Sequence, residues 1–224
     1  HAGIIEPGHF RFQCYGEKVM HLEISLGYQH RGIEPMLLGG PHPSTMAQME
    51  TIAGDTTIGH GLAYCQVIEA LSGCVVPERA QSIRAMALEL ERLANHVGDI
   101  GALAADIGFL PTASFCGRLR GDYLNLSATL CGSRFGRGLV RPGGVLFDLD
   151  AALASTVLTR LDEIEGNTLG ALNLFFDEPS VLGRLEGTGR VSRSVAEDLG
   201  LVGVAAKACG VPRDSRFFHP TGVY

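Results

Sequence analysis

The stretch Pro43–Gly73, PSTMAQMETIAGDTTIGHGLAYCQVIEALSG, constrains the fold more than any other part of the chain. Ser44 stands where a helix N-cap belongs and Gly73 where a helix ends. Between them Met46, Met49, Ile52, Ala53, Leu62, Ala63, Cys65, Val67, Ile68 and Leu71 are too many apolar groups for one narrow stripe, and a helix apolar nearly all round is expected to be buried. Its middle, Gly54-Asp55-Thr56-Thr57-Ile58-Gly59-His60-Gly61, is odd for a core element, because each glycine costs ~1 kcal/mol against alanine in a helix. Two readings follow. Either a cofactor, a substrate or another backbone approaches this segment closely, or the helix is kinked or broken by a loop.

At 224 residues the chain is long enough for one large core or two small ones, and its 46% hydrophobic content belongs to a globular protein. No uninterrupted apolar run reaches the ~18 residues a membrane span needs, so work at a membrane would be done as a peripheral subunit. A net charge of −6 leaves no basic footprint, which argues against a nucleic-acid partner. The six cysteines, Cys14, Cys65, Cys74, Cys116, Cys131 and Cys209, are scattered without a C-x-x-C pair. That spacing is expected of reduced, mostly buried thiols in a cytosolic compartment. No secretory signal opens the chain, and the natural protein is expected to begin before His1 and to run past Tyr224.

Residues 1–9 read as a loop carrying Glu6 and His9. Phe10–Tyr15 and Val19–Leu26 alternate apolar and polar residues around a Gly16-Glu17 turn, the pattern of an antiparallel hairpin. Gly27–Glu34 is a tight, charged connection, in which His30 and Arg31 are expected to fix the turn. Pro77 opens the clearest helix: Ile83, Met86, Ala87, Leu90, Leu93, Ala94, Val97 and Ile100 recur at three and four residues, with Glu78 in the first turn where the helix dipole favours it. Glu89, Glu91 and His96 fall on what reads as its solvated or subunit-facing edge. With the central helix it predicts two long antiparallel helices joined at Ser72–Pro77. A third helix is expected over 114–133, an irregular glycine-rich loop with short strand pieces over 136–149, and a fourth helix over 150–176 capped by Asp150. Two shorter helices within 179–210 and a terminal loop from Val211 complete the reading.

Six segments taken in order, EPGHFRF (6–12), LEISLGYQHRGIE (22–34), HGLAYCQVIEALSG (60–73), VPERAQSIRAMALELERLANH (76–96), VRPGGVLFDL (140–149) and GLVGVAAKACGVPRDSR (200–216), resemble the large subunit of membrane-bound, group 4 NiFe hydrogenases of the formate hydrogenlyase and hydrogenase-4 type. The 49 kDa subunit of respiratory complex I is their relative. The resemblance spans nearly the whole chain. It implies one domain over 1–224 that is mainly α, a bundle of long helices with a small N-terminal antiparallel sheet. It also implies a small iron–sulfur subunit as partner, carrying a 4Fe-4S cluster, together with a 30 kDa-like subunit or domain and membrane-arm subunits, at the cytoplasmic face of the inner membrane.

Active members hold nickel and iron between two C-x-x-C pairs, since soft thiolates bridge both metals. The first pair falls here on Thr51–His60, where Ala53 and Thr56 occupy the two cysteine positions. Alanine cannot ligate and a hydroxyl is a poor bridging ligand, so the chain is expected to bind no metal in the usual way and not to activate hydrogen. The quinone residues of the complex I relatives are missing too: Gly3 and Pro7 stand against the two histidines of the first loop, and the tyrosine partner falls near Gly54. The function implied is a hydrogenase-like oxidoreductase subunit passing electrons to or from quinone or another acceptor. The competing reading is a non-catalytic scaffold.

By the resemblance Glu6 would relay protons, a task suited to a carboxyl that burial can bring toward neutrality, against the reading of an exposed loop carboxylate. His9 and His60 would donate around the site or serve as structural histidines, and Asp55 with Thr56 would line the family's ligand region. Arg141 would reach the same cavity or pair with Asp148. A metal site rebuilt from His9, Asp55 and His60 is a third, weaker option, while Cys65 and Cys74 are expected in the core.

Overall fold

The computed structural model describes residues 8–224, so Glu6, Gly3 and Pro7 lie outside the described residues. The alternating N-terminal segment forms the expected hairpin. Strands β1 (His9–Tyr15) and β2 (Lys18–Ser25) pair antiparallel with Phe10 opposite Ile24 and Phe12 opposite Leu22, and Gly16 takes the positive φ of 59° that the tight turn requires. Alternation sorts the apolar side chains onto one face, yet both strands are solvent-exposed along their whole length.

The central stretch is a broken helix. A short α1 (Ile33–Met36) precedes α2 (Thr45–Met49), which ends at Glu50, and α3 (Thr57–Ser72) begins after the half-buried segment 50–56. The break has a local cause: the Thr51 hydroxyl bonds back to the carbonyls of Ala47 and Gln48 at 3.2 and 3.0 Å, offering the backbone an alternative to the next helical turn. Ser44 occupies the cap position without a side-chain cap bond, whereas Gly73 closes α3 with φ 66°. The expectation of burial all round is corrected: Val67 and Leu71 are 57% and 81% exposed, because α3 packs on one side only.

The core is organised around the following two helices. Helix α4 (Glu78–Asp106) starts after Pro77 as predicted and packs chiefly on α5 (Leu110–Cys131). Leu90, Ala94 and Val97 of α4 meet Leu119, Tyr123 and Leu126 of α5, and α6 (Ala151–Asp177) adds Val157, Ile164 and Ala171 to the same cluster. Helix α5 begins four residues before the expected start at 114, since Pro111 sits in the first turn, where a missing N–H costs nothing. The approach of α4 to α5 is closest at Gly101, where an added Cβ would lie 2.9 Å from the Cys116 Cβ.

Between α5 and α6 the glycine-rich segment supplies the short strands β3 (Val140–Arg141) and β4 (Gly144–Val145), as expected. Asp150 caps α6 through Leu153 N–H at 2.7 Å. The region 179–210 holds three short helices rather than two, α7 (Pro179–Leu185), α8 (Arg193–Asp198) and α9 (Gly203–Ala208), and a fourth, α10 (Ser215–Phe218), interrupts the terminal loop. Of the cysteines only Cys65, Cys116 and Cys131 are buried; Cys74 is exposed, against the expectation of a core position. Among the described residues no helix is long and apolar enough to cross a membrane.

Candidate functional site

Segment 50–56 is held in place by three side chains and one main-chain N–H from four parts of the chain. Arg31, from the connection after the hairpin, donates to the Thr51 carbonyl at 2.6 Å and to the Ile52 carbonyl. Asn95 of α4 donates to the Asp55 carbonyl at 3.0 Å, and Arg120 of α5 pairs with the Asp55 carboxylate at 2.9 Å. On the other side Gly138 N–H donates to the Glu50 carboxylate at 2.7 Å. Arg31 therefore reaches past its own turn, while His30 fixes that turn, its Nδ1 accepting from Gly32 N–H at 3.2 Å.

Thr56 precedes α3 without capping it. Its hydroxyl and carbonyl both lie 2.9 Å from His60 Nδ1, which fixes the imidazole in the first turn. The cap comes instead from a distant carboxylate. Glu91 of α4 accepts Ile58 N–H at 2.7 Å and Gly59 N–H at 3.0 Å, one on each oxygen, so the positive end of the α3 dipole meets a negative group. Gly59 permits this approach, since a Cβ there would stand 3.3 Å from the Glu91 carboxylate. Burial pushes the Glu91 carboxyl up to about 7 even though both N–H bonds favour its charged form, and the neighbouring Asp55 charge adds to the rise. The expectation that Glu91 lies on a solvated edge is thus corrected; Glu89 does face outward, pairing with Arg92 at 2.8 Å and bonding Tyr224.

Arg141 lies at the opposite end of α3. A buried bidentate pair, Arg84 to Glu69 at 3.0 and 2.5 Å, is 5% and 8% exposed and clamps the β3–β4 turn. Arg84 donates to the carbonyls of Gly144 and Arg141 at 3.1 and 2.6 Å, and Gly143 N–H donates to Glu69 at 2.7 Å. Glu69 is twelve residues beyond Thr57, about 18 Å along a helix that rises 1.5 Å per residue. The Arg141 side chain is exposed, and Asp148 pairs with Arg79 at 2.7 Å rather than with Arg141.

The structure thus gathers Ala53, Asp55, Thr56 and His60 at one place and leaves His9 exposed on β1. Among the described residues no group of three or more His, Cys, Asp or Glu side chains is placed to hold a metal ion, so His9, Asp55 and His60 do not form the rebuilt site. Nor does the donor set fit a nickel–iron centre. Ala53 offers no ligand atom, the Thr56 hydroxyl is engaged with His60, and the Asp55 carboxylate is engaged with Arg120. Sequence reasoning missed Glu91, Asn95 and Arg120. The signal that was available lay in Gly59, a glycine inside a helix where a side chain from elsewhere comes close.

Residues 106–224 match the family described as respiratory-chain NADH dehydrogenase, 49 kDa subunit. The chain is 30% identical over 225 residues to the carbon monoxide-induced hydrogenase of Rhodospirillum rubrum, covering 100% of this chain and 62% of that protein. It is 34% identical over 209 residues to an NADH-quinone oxidoreductase subunit of Deinococcus radiodurans, covering 92% of this chain and 51% of that one. In structure it resembles a chain of the membrane-bound sulfane sulfur reductase, an archaeal respiratory membrane complex, with a TM-score of 0.89 at 25% identity, covering 96% of this chain and 58% of the other. The chain therefore spans between about half and two thirds of the length of these relatives.

Proposed function

This chain belongs to the family of the respiratory-chain NADH dehydrogenase 49 kDa subunit, and we propose that it acts as the large, hydrogenase-like subunit of a membrane-associated oxidoreductase that does not activate hydrogen. Its relatives include a hydrogenase and an NADH-quinone oxidoreductase subunit, and its structural neighbour belongs to a respiratory membrane complex. In this reading the chain sits peripherally at the cytoplasmic face, docks a small iron–sulfur subunit, and passes electrons to or from quinone or another acceptor.

One observation carries the reading: the two positions where the resemblance to hydrogenases calls for cysteine ligands are alanine and threonine, and their surroundings are satisfied by protein groups. Arg31, Asn95 and Arg120 hold segment 50–56 by hydrogen bonds and charge, and Glu91 holds the first turn of α3 that follows it, so the loop keeps a defined position through protein contacts. The site offers no soft ligand for nickel.

The test is elemental analysis of the natural complex purified with its iron–sulfur subunit, followed by turnover with a short-chain quinone analogue. Absence of nickel with inhibitor-sensitive quinone turnover is the expected result. Stoichiometric nickel overturns the reading. A stable, nickel-free complex with no turnover on any acceptor replaces it with the scaffold.

A further inference from the structure

Among the described residues Glu91 is half-buried at the site without a direct ion pair: Arg120 is paired with Asp55, and Glu50, likewise without a cation, takes one backbone N–H from Gly138 where Glu91 takes two. Two opposed effects act on it. Burying an unpaired carboxylate costs several kcal/mol, while two backbone N–H groups at a helix N-terminus offset part of that cost. Its charged and neutral forms are thereby brought close in free energy. Alongside lies a pocket of about 10 Å³, room for a single water, lined by Asp55, Glu91, Asn95, Ser127 and Arg134. Ile58, Ala94, Leu124 and Phe135 complete the lining, and Arg134 is its exposed member.

We propose that Glu91 is the proton-exchanging group of this site: it takes up and releases one proton through the Ser127–Arg134 pocket, and its charge state sets how firmly the first turn of α3 and the Asp55–Thr56 segment are held. Ionised, Glu91 accepts both N–H groups and locks Ile58 and Gly59. Protonated, it loses the attraction to the helix dipole and one of its acceptor oxygens becomes a donor, so the turn that carries His60 is loosened. The charged and titratable groups facing it are Asp55 from the loop, which favours the proton, Arg120 from α5, held by Asp55, and Arg134 beyond α5. From α3 itself the neighbouring titratable group is His60, bonded to Thr56. Burial raises the carboxyl to about 7, in accord with this exchange.

The connection to electron transfer rests on the functional reading above, but the exchange itself does not, and the experiment separates them. Infrared difference spectra of the full complex, titrated from about pH 5 to pH 9, are expected to show one carboxylic acid band that disappears with a midpoint near neutrality. The band is expected to be absent in Glu91→Gln, and in Asp55→Asn its midpoint moves toward the ordinary carboxylate range. If no carboxyl titrates near neutrality, or if the band persists in Glu91→Gln, the proposal is wrong. Should Glu91→Gln fail to assemble, the Asp55→Asn shift decides alone, because an unshifted midpoint overturns the assignment. A titrating band in a complex without quinone turnover leaves Glu91 assigned and removes the functional reading. Turnover whose pH profile is unchanged in Glu91→Gln separates the proton exchange from the reaction and overturns that connection.

Discussion

Replacing Arg84 by methionine removes the cation of the buried pair while keeping most of the side chain's apolar volume. The Glu69 carboxylate, 8% exposed, keeps only the Gly143 N–H, and the carbonyls of Gly144 and Arg141 lose their donor. Removing one partner of a buried pair typically costs about 3–5 kcal/mol, against a total stability of about 5–15 kcal/mol. For a chain of this size that corresponds to a fall of about 6–20 °C in Tm. Burial alone raises the Glu69 carboxyl, but hydrogen bonds from Arg84 and Gly143 and the Arg84 charge outweigh it and hold it below the ordinary range. A carboxyl held low contributes stability that is present above its unfolded value and lost as pH falls through the folded one. In Arg84→Met burial is unopposed by the cation, the carboxyl rises, and the sign reverses, so the deficit shrinks on acidification. Urea unfolding followed by circular dichroism at pH 8 and pH 5 reads this directly. The double variant Arg84→Met/Glu69→Leu recovers part of the loss, the remainder being the three orphaned main-chain groups of the β3–β4 turn. A deficit below about 1 kcal/mol, or one that does not change with pH, refutes the clamp as the device that holds the Arg141 turn.

Glu91 has the opposite linkage: with its carboxyl raised from 4.5 to about 7, the folded chain binds a proton that the unfolded chain has released. Its contribution is full below the unfolded value and is lost as pH rises to the folded one, a swing of about 3 kcal/mol that denaturation of wild type and Glu91→Gln at two pH values should resolve, with parallel behaviour counting against it. Gly101→Ala places a methyl 2.9 Å from the Cys116 Cβ and forces α4 from α5, which should cost about 1–3 kcal/mol in thermal melts; an unchanged Tm contradicts the packing. Burial lifts the Cys65 thiol to about 11 despite the Arg84 charge, so alkylation near pH 8 read by mass spectrometry should label the exposed Cys14 and Cys74 and spare Cys65 until unfolding. Equal labelling of all three would show that Cys65 is not enclosed.

Much of the scaffold was legible along the chain. The period of Ile83, Ala87, Leu90, Ala94 and Val97 described α4, the alternation of residues 10–26 described the hairpin, and Asp150 marked the start of α6. Each of these is a relation among residues a few positions apart. The C-terminal helices were less legible because they are four to seven residues long, too short for a period to show. The weak middle of the central stretch was visible as glycine and polar residues: the helix is broken, as one reading held, and what comes close to it is a side-chain carboxylate rather than the cofactor, substrate or backbone of the other.

By itself the sequence determined that segment 51–60 carries alanine and threonine at positions 53 and 56 and no cysteine, since ligand chemistry is a property of residue type and no folding can supply a missing sulfur. Only the tertiary structure decided what surrounds that place. Glu91 meets Ile58 across 33 residues and Arg120 meets Asp55 across 65. On its own helix Glu91 resembles any surface glutamate, and its burial, its cap and its raised affinity for a proton arise only when α3 and α5 close on α4. The cost of burying a charge is set by which elements surround it, and that is written in no local pattern.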